Sequence, residues 1–165
     1  MKKFLIICIV LFIAGVGCKK ENVGGTGLCA CSPVIGPDLR LVIKNSAGDD
    51  LLNENTSGAY TTDKIEFYRK DASGKITPLT FSIRAPFAYG NQEFAYNTIS
   101  VPVDFLQQKA GQPIYLKLGD KNVYELNAAL NKQKNDVEKL LIGDTTAERD
   151  SSEVSKLSPI FYLTE

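Results

Sequence analysis

Residues 64–83, Lys64-Ile-Glu-Phe-Tyr-Arg-Lys-Asp-Ala-Ser-Gly-Lys-Ile-Thr-Pro-Leu-Thr-Phe-Ser-Ile83, indicate the fold class of the chain. Ile65 and Phe67 fall on one side of an extended segment, which is the period-two pattern of a half-buried strand. A short turn containing Gly74 then leads to a second strand-like run, as in a β-hairpin. Pro78 cannot donate a ladder hydrogen bond, so its strand is predicted at a sheet edge or at a bulge.

The same pattern recurs on both sides of this hairpin. Residues 39–44 alternate apolar side chains with Arg40 and Lys44, and residues 45–50 have the composition of a turn. About eight short strands separated by turns are typical of a β-sandwich. We therefore predict an all-β domain over residues 37–165, a small antiparallel β-sandwich that is immunoglobulin-like or related. The remaining strand-like runs are 94–101, 112–118, 123–130, 137–142 and 159–163.

Residues 123–130 fit two kinds of secondary structure. Tyr124, Leu126 and Leu130 alternate with polar residues, which favours a strand, but the spacing of Val123, Leu126 and Leu130 also suits a helix. The four-residue turn before them favours a hairpin with the preceding strand. The sequence leaves strand and helix open as far as Leu141.

The N-terminus has the pattern of an export signal. Lys2 and Lys3 precede an uninterrupted apolar run over residues 4–17, as in the charged and apolar regions of a secretory signal peptide. The run is shorter than the roughly 20 residues that a membrane-spanning helix needs. Residues 1–17 are therefore predicted to be cleaved, and 18–36, rich in glycine and polar residues, to form a flexible tether.

The end of this run, Ala14-Gly15-Val16-Gly17-Cys18, resembles a bacterial lipobox. The usual leucine three residues before the cysteine is replaced by Gly15. The resemblance implies cleavage before Cys18 and attachment of two or three acyl chains, palmitate among them, to that cysteine. It places the protein in the cell envelope, anchored by lipid to the outer membrane. The periplasmic face and the cell surface both remain open.

Two further cysteines, Cys29 and Cys31, lie between the tether and the first strand. Their Cα atoms are separated by roughly 6.5–7 Å in an extended chain, which is the outer limit for a disulfide. In an oxidising compartment a strained internal disulfide is the first choice and pairing with another molecule is the alternative. The Cys-x-Cys with the strand after it, residues 29–52, resembles the opening of small Bacteroidota lipoproteins, a resemblance that implies no particular activity.

Composition excludes several classes of function. The chain has no histidine and a formal charge of zero. Removal of Lys2 and Lys3 with the signal leaves 17 basic and 19 acidic side chains, a charge of about −2. Nucleic-acid binding usually requires a concentrated basic surface, so no nucleic-acid partner is predicted. The absence of histidine removes the usual zinc ligand and the commonest general base, and no cofactor is predicted.

Acidic clusters suggest two further activities, and a simpler explanation is favoured for both. Carboxylates in residues 49–50 and 144–150 could serve a hydrolase only if two of them faced each other across a cleft. The oxygen-bearing side chains of residues 45–54 do not follow the calcium-binding order of an EF-hand. Solvated loop acids and turn chemistry explain both stretches, so neither a catalytic residue nor a metal site is predicted. The acids concerned are Asp49, Asp50, Asp144, Glu148 and Asp150, and the calcium hypothesis adds Asn45, Asn53 and Glu54.

The aromatic residues Phe87, Tyr89, Phe94 and Tyr96 form the candidate binding surface. Aromatic side chains beside asparagine and glutamine are common at protein and carbohydrate contacts, although half-buried strand residues would produce the same pattern. The leading hypothesis is a lipid-tethered binding or structural module that is not an enzyme, an outer-membrane accessory subunit with a protein or carbohydrate partner. The alternative is a carboxylate-dependent hydrolase outside the cytoplasm, which requires an acidic pocket.

Overall fold

The computed structural model describes residues 38–102, 113–120, 122–131, 133–134, 136–156 and 158–165. Within these ranges the chain forms thirteen β-strands, two short 3-10 turns and no α-helix. The predicted all-β class is confirmed. The two 3-10 turns are Thr62–Lys64 and Glu153–Lys156.

Eleven of these strands belong to two sheets, and the other two form a separate hairpin. The five-stranded sheet has the order β12 (Glu148–Arg149), β13 (Ile160–Thr164), β1 (Asp38–Lys44), β7 (Thr98–Pro102) and β4 (Ser82–Arg84). The six-stranded sheet has the order β11 (Thr145–Thr146), β10 (Asp136–Ile142), β9 (Asn122–Asn131), β8 (Ile114–Leu118), β2 (Ile65–Lys70) and β3 (Ile76–Pro78). The hairpin consists of β5 (Phe87–Tyr89) and β6 (Gln92–Phe94).

The main core lies between the two sheets. Side chains alternate across a strand, so Leu39, Leu41 and Ile43 of β1 point to the same face and are fully buried. They belong to one apolar cluster with Phe67 of β2 and Leu116 of β8, from the opposite sheet. The two sheets therefore form the sandwich that the alternating sequence pattern predicted.

One strand pair departs from the predicted antiparallel arrangement, because β1 has a parallel neighbour. β1 is antiparallel to β7 but parallel to β13, with Leu41 opposite Phe161. A parallel pair requires a long connection, and here the whole of the remaining chain lies between the two strands. Strand periodicity carries no information about such a distant pairing, so the sequence could not indicate it.

The number of strands exceeds the predicted eight because two predicted strands are interrupted. The run over residues 75–83 separates into β3 and β4, because the chain crosses there from one sheet to the other. The run over 94–101 separates into β6 and β7 at Asn97, whose backbone N–H donates to the Asp50 carboxylate at 2.7 Å. The short strands β5, β11 and β12 account for the rest of the difference.

The predicted hairpins are confirmed. β2 pairs with β3 and β8 pairs with β9, both antiparallel. Pro78 lies in β3, the edge strand of its sheet, as its missing N–H predicted. Residues 123–130, which could have been a strand or a helix, belong to β9, which lies between β8 and β10. Pairing on both sides satisfies the backbone of this segment as a strand.

The chain crosses between the sheets at both lateral edges of the sandwich. β3 and β4 are edge strands of different sheets and follow each other in sequence, as do β11 and β12. Leu79 at the first crossing is buried, and its N–H donates to the Phe67 carbonyl at 2.8 Å. Ala147 at the second crossing packs against the main core. Edge strands of only two or three residues expose few free backbone groups for pairing with other chains.

A second, smaller core covers the outer face of the five-stranded sheet. Val42 of β1 and Ile160 of β13 point away from the main core, yet both are fully buried. Phe94 of the hairpin and Val154 of the 3-10 turn at Glu153–Lys156 pack on them. We call the hairpin, residues 87–94, the hairpin cap because it is held on the sheet by this apolar contact.

Candidate functional site

The hairpin cap is built around a two-residue turn. Phe87 pairs with Phe94 and Tyr89 pairs with Gln92, which leaves Gly90 and Asn91 as the loop. Gly90 has a φ of +60°, a conformation that a side chain disfavours and that two-residue hairpin loops require. The turn therefore places Tyr89 beside the tip of the cap.

The structure separates the four aromatic residues of the candidate binding surface into two roles. Phe94 is buried, with 4% of its surface exposed, and Phe87 and Tyr96 are half-buried against it, with ring centroids 5.6 and 5.9 Å from that of Phe94. Tyr96 continues the cluster to Tyr162 of β13 at 6.1 Å. Tyr89 is 59% exposed. Three of the residues thus hold the cap in place, and Tyr89 is displayed to solvent.

Two arginines that the sequence reasoning did not single out lie beside the cap. Arg40 of β1 and Arg84 of β4 point to the outer face, since their neighbours Leu41 and Ile83 contribute to the main core. The Arg40 guanidinium carbon lies 5.2 Å from the Phe87 ring centroid. The position of Arg40 between Leu39 and Leu41 predicts that its side chain points outward. It does not predict that the hairpin cap lies beside it.

An open cleft of about 440 Å³ lies at one end of the sandwich. Among its acids, Glu66 accepts a hydrogen bond from Lys117 at 2.6 Å. Asp63 is fully exposed, and a hydrogen bond from the Thr61 side chain lowers its pKa. A hydrolase of the type considered above needs one carboxyl held protonated beside an ionised one, and the lowered pKa of Asp63 favours its ionised form. The cleft is lined by Gly58, Ala59, Tyr60, Asp63, Lys64, Glu66, Lys117, Gly119 and Asp120.

The side-chain carboxylate of Glu165, the last residue, connects Tyr60 in the cleft with two residues of β9. It accepts hydrogen bonds from the Tyr60 hydroxyl at 2.6 Å, the Tyr124 hydroxyl at 2.7 Å and the Asn122 amide at 2.9 Å. The pKa of Tyr60 and that of Tyr124 are both raised, mainly by burial and secondly by the hydrogen bond that each hydroxyl donates to Glu165. A carboxylate with three donors is a structural anchor, since its acceptor positions are largely occupied.

We expect Glu165→Ala to lower the free energy of unfolding by about 1–2 kcal/mol, because three donors lose a charged acceptor. A tyrosine whose pKa is higher in the folded than in the unfolded state stabilises the fold while it is protonated. This stabilisation is complete below the unfolded-state pKa near 10 and is lost as pH rises through the folded-state pKa. The variant should therefore ionise Tyr60 and Tyr124 at lower pH in a tyrosinate absorbance titration. Glu153→Ala, which removes an exposed ion pair with Lys156, is the matched control. Unchanged titration in Glu165→Ala would contradict the assignment.

Residues 45–54, considered above for calcium, form a hydrogen-bonded turn. The Asn45 side-chain oxygen accepts from the N–H groups of Ala47 and Asp49. Asp50 is buried, and its two oxygens accept from Leu52 N–H and from both nitrogens of Asn97 at 2.7–2.8 Å. No group of three or more acids that could hold a metal ion occurs in the described part of the chain. Turn formation accounts for the composition of this segment.

Replacing Asp50 with alanine should cost about 2–4 kcal/mol of unfolding free energy, because one buried and two part-buried donors are left without an acceptor. Asp50→Asn should cost less, about 1–2 kcal/mol, since the amide keeps one acceptor oxygen. Urea denaturation followed by circular dichroism measures both values. Glu54→Ala, an exposed acid four residues away, should stay within about 0.5 kcal/mol of the parent protein. Equal effects of Asp50→Ala and Glu54→Ala would contradict the structural role of Asp50.

The acids of the second acidic stretch, residues 144–150, make contacts with different partners. Glu148 pairs with Lys44 at 3.4 Å. The Asp150 carboxylate accepts from the Tyr162 hydroxyl at 2.8 Å and from the Ser152 N–H and hydroxyl. Burial alone would raise the pKa of Asp150, but these hydrogen bonds outweigh it and lower the pKa. Asp150 therefore anchors the loop before the turn Glu153–Lys156.

The lipidation residue Cys18 and the pair Cys29 and Cys31 lie outside the described residues, so their predicted roles stay predictions. In the part of the chain that the structure describes, no helix is long and apolar enough to cross a membrane. No family model, no curated protein and no solved structure matches the chain.

Proposed function

We propose that this protein is a lipid-anchored binding module of the bacterial cell envelope. Cys18 would hold it on the outer membrane, the tether of residues 18–36 would give it reach, and the hairpin cap would contact a protein or carbohydrate ligand. The proposal joins the lipobox resemblance of the N-terminus to the geometry of the cap. It assigns no catalytic step to the chain.

The exposure of Tyr89 on a fixed support is the observation that carries the proposal. Tyr89 is the most exposed large hydrophobic side chain in the described ranges, at 59%, against 55% for Ile76 and 49% for Val123. The rings of Phe87 and Phe94 fix the base of the same hairpin on the sheet. The Tyr89 backbone is paired within the hairpin, and a tyrosine side chain has only two torsions to order, so little conformational entropy is lost on binding, which favours affinity.

The polar residues around Tyr89 fit a recognition surface. Asn91, Gln92 and Glu93 are exposed beside it, and amide side chains can both donate and accept hydrogen bonds. An apolar ring with adjacent amides suits the face and hydroxyl groups of a sugar or the surface of a protein. Both ligand classes remain within the proposal.

Site-specific photo-crosslinking in native membranes tests this proposal. A benzophenone amino acid replaces Tyr89 in one variant and Val123 in another, because Val123 is similarly exposed but lies on the six-stranded sheet. We expect a discrete adduct from position 89 that is several-fold stronger than any from position 123. The mass of the adduct distinguishes a protein from a glycan partner. Equal adducts at both positions, or none at position 89, would contradict the assignment of the cap.

Tyr89→Ala supplies the complementary measurement. Since the side chain is mostly exposed, we expect the free energy of unfolding to stay within about 0.5 kcal/mol of the parent protein. Retention of the cross-linked partner on the immobilised lipoprotein should nevertheless fall. A variant that unfolds more easily but retains its partner would show that Tyr89 serves the fold.

A further inference from the structure

Two arginines without an ion-pair partner among the described residues lie beside the hairpin cap, on the outer face of the five-stranded sheet. They flank β7, whose outward residues Thr98 and Ser100 are small and buried. Ser100 lies opposite Arg40 of β1, and Thr98 lies opposite Arg84 of β4. The two arginines thus lie on either side of a strand that carries only short side chains on this face. We call Arg40 and Arg84 the arginine pair.

Neither guanidinium has a hydrogen-bond or ion-pair partner among the described residues. The three ion pairs there involve lysines only. The Nε atoms of Arg40 and Arg69 are buried and have no acceptor, and the buried Thr98 hydroxyl is also unpartnered. Of these two arginines, Arg40 is only half-buried as a whole, whereas Arg69 is 8% exposed and closed to a ligand. The nearest acid on β1, Asp38, instead accepts a hydrogen bond from Ser100 at 2.7 Å. Buried donors without acceptors are rare because each one costs free energy.

The charges around the arginine pair match its lack of an acceptor. Burial lowers the pKa of Arg40, Asp38 opposes that effect, and the charge of Arg84 adds to it. The two positive charges therefore act on each other across β7. The chain has only four arginines among its 19 basic residues, and two of them flank this one strand.

We infer that the arginine pair binds an anionic group, a carboxylate or a phosphate, carried by the ligand that contacts the hairpin cap. Arginine offers planar pairs of N–H donors that match the oxygens of such groups. Arg40 is held over the face of the Phe87 ring at 5.2 Å, and Arg84 is exposed on the other side. The inference rests on the proposed function and narrows its ligand to an acidic one.

The test uses the intact mature lipoprotein in detergent micelles, labelled with ¹⁵N only in arginine. Its Nε–H spectrum contains four signals, which single Arg→Lys variants assign. Sodium phosphate and sodium acetate replace sodium chloride in separate titrations at constant ionic strength. The two arms distinguish a phosphate site from a carboxylate site.

We expect the Arg40 and Arg84 signals to shift and saturate with at least one of the two anions. The dissociation constant should be on the order of 1–10 mM, as for a small anion held by a few charge-assisted hydrogen bonds. Arg149, whose guanidinium already donates to the Glu138 carbonyl, and buried Arg69 are internal controls and should not move. Arg84→Lys, which keeps the charge but loses the planar fork, should weaken binding at least about fivefold.

Two results would overturn the inference. One is a linear shift of all four arginine signals with anion concentration, which indicates general ionic effects only. The other is the absence of any saturable shift at Arg40 and Arg84 with both anions. Because the titration does not involve Tyr89, its outcome is separate from that of the cross-linking experiment. An adduct at position 89 without anion binding would leave the cap assigned and refute anion binding by the arginine pair.

Discussion

A Cys18→Ala variant is expected to move from the membrane fraction to the soluble envelope fraction almost completely, or to remain as an uncleaved precursor. Each buried CH₂ of an acyl chain contributes about 0.8 kcal/mol to membrane attachment, so the two or three chains that the lipobox resemblance implies would dominate attachment to the bilayer. The described residues contain no helix able to replace them. Cell fractionation and labelling with a palmitate analogue measure the change.

The chain provides a matched control in its other mature cysteines. A Cys29→Ser/Cys31→Ser variant should remain membrane-bound and labelled. A bond that closes so small a loop removes little entropy from the unfolded chain, so we expect it to lose less than about 1.5 kcal/mol of stability. Continued labelling of the Cys18→Ala protein would refute lipidation at this residue, and loss of labelling in the control would assign the lipid elsewhere.

Phe161→Ala is expected to have the largest effect on folding, a loss of about 3–5 kcal/mol in the free energy of unfolding. Phe161 lies on β13, faces the main core and is 1% exposed. Its removal leaves a cavity behind the parallel pair of β1 and β13, where it lies opposite Leu41. A typical domain is stable by about 5–15 kcal/mol, so the variant should unfold at much lower urea concentration.

Thr164→Ala on the same strand is the control for this prediction. Thr164 is exposed, and its replacement should change stability by less than about 1 kcal/mol, since it affects only strand propensity and surface contacts. If Phe161→Ala and Thr164→Ala have similar effects, the main core does not extend to β13. Such a result would place the last strand outside the cooperative unit.

Local patterns located the eight predicted strand-like runs, but not the breaks within two of them or the short strands β5, β11 and β12. The alternation in β1 and β2 and the turns after them identified both strands, and the missing N–H of Pro78 predicted an edge or a bulge, of which the structure has the edge. For residues 123–130 the sequence left strand and helix open, and the preceding turn favoured the strand that the structure shows. These features are local because alternation and turn chemistry depend on residues a few positions apart.

The candidate site depended on contacts between distant residues. Phe94 and Tyr89 are both aromatic residues of one hairpin, yet Phe94 is buried and Tyr89 is exposed to solvent. The difference comes from Val42 and Ile160, which form an apolar surface under the hairpin. No local pattern relates residue 94 to residues 42 and 160, so the sequence could name the aromatic group but not separate its two roles.

The sequence by itself therefore determined the all-β class, the positions of the main strands and of the turns between them and, as a prediction still to be tested, the export and lipidation of the chain. The tertiary structure alone decided the parallel pairing of β1 with β13, the burial of Asp50 against Asn97 and the placement of Arg40 and Arg84 on either side of β7. The physical reason is that hydrophobic periodicity specifies which face of a strand is buried but not which strand lies beside it. Strand neighbours are selected by the packing of the whole domain, and the candidate site is formed by those neighbours.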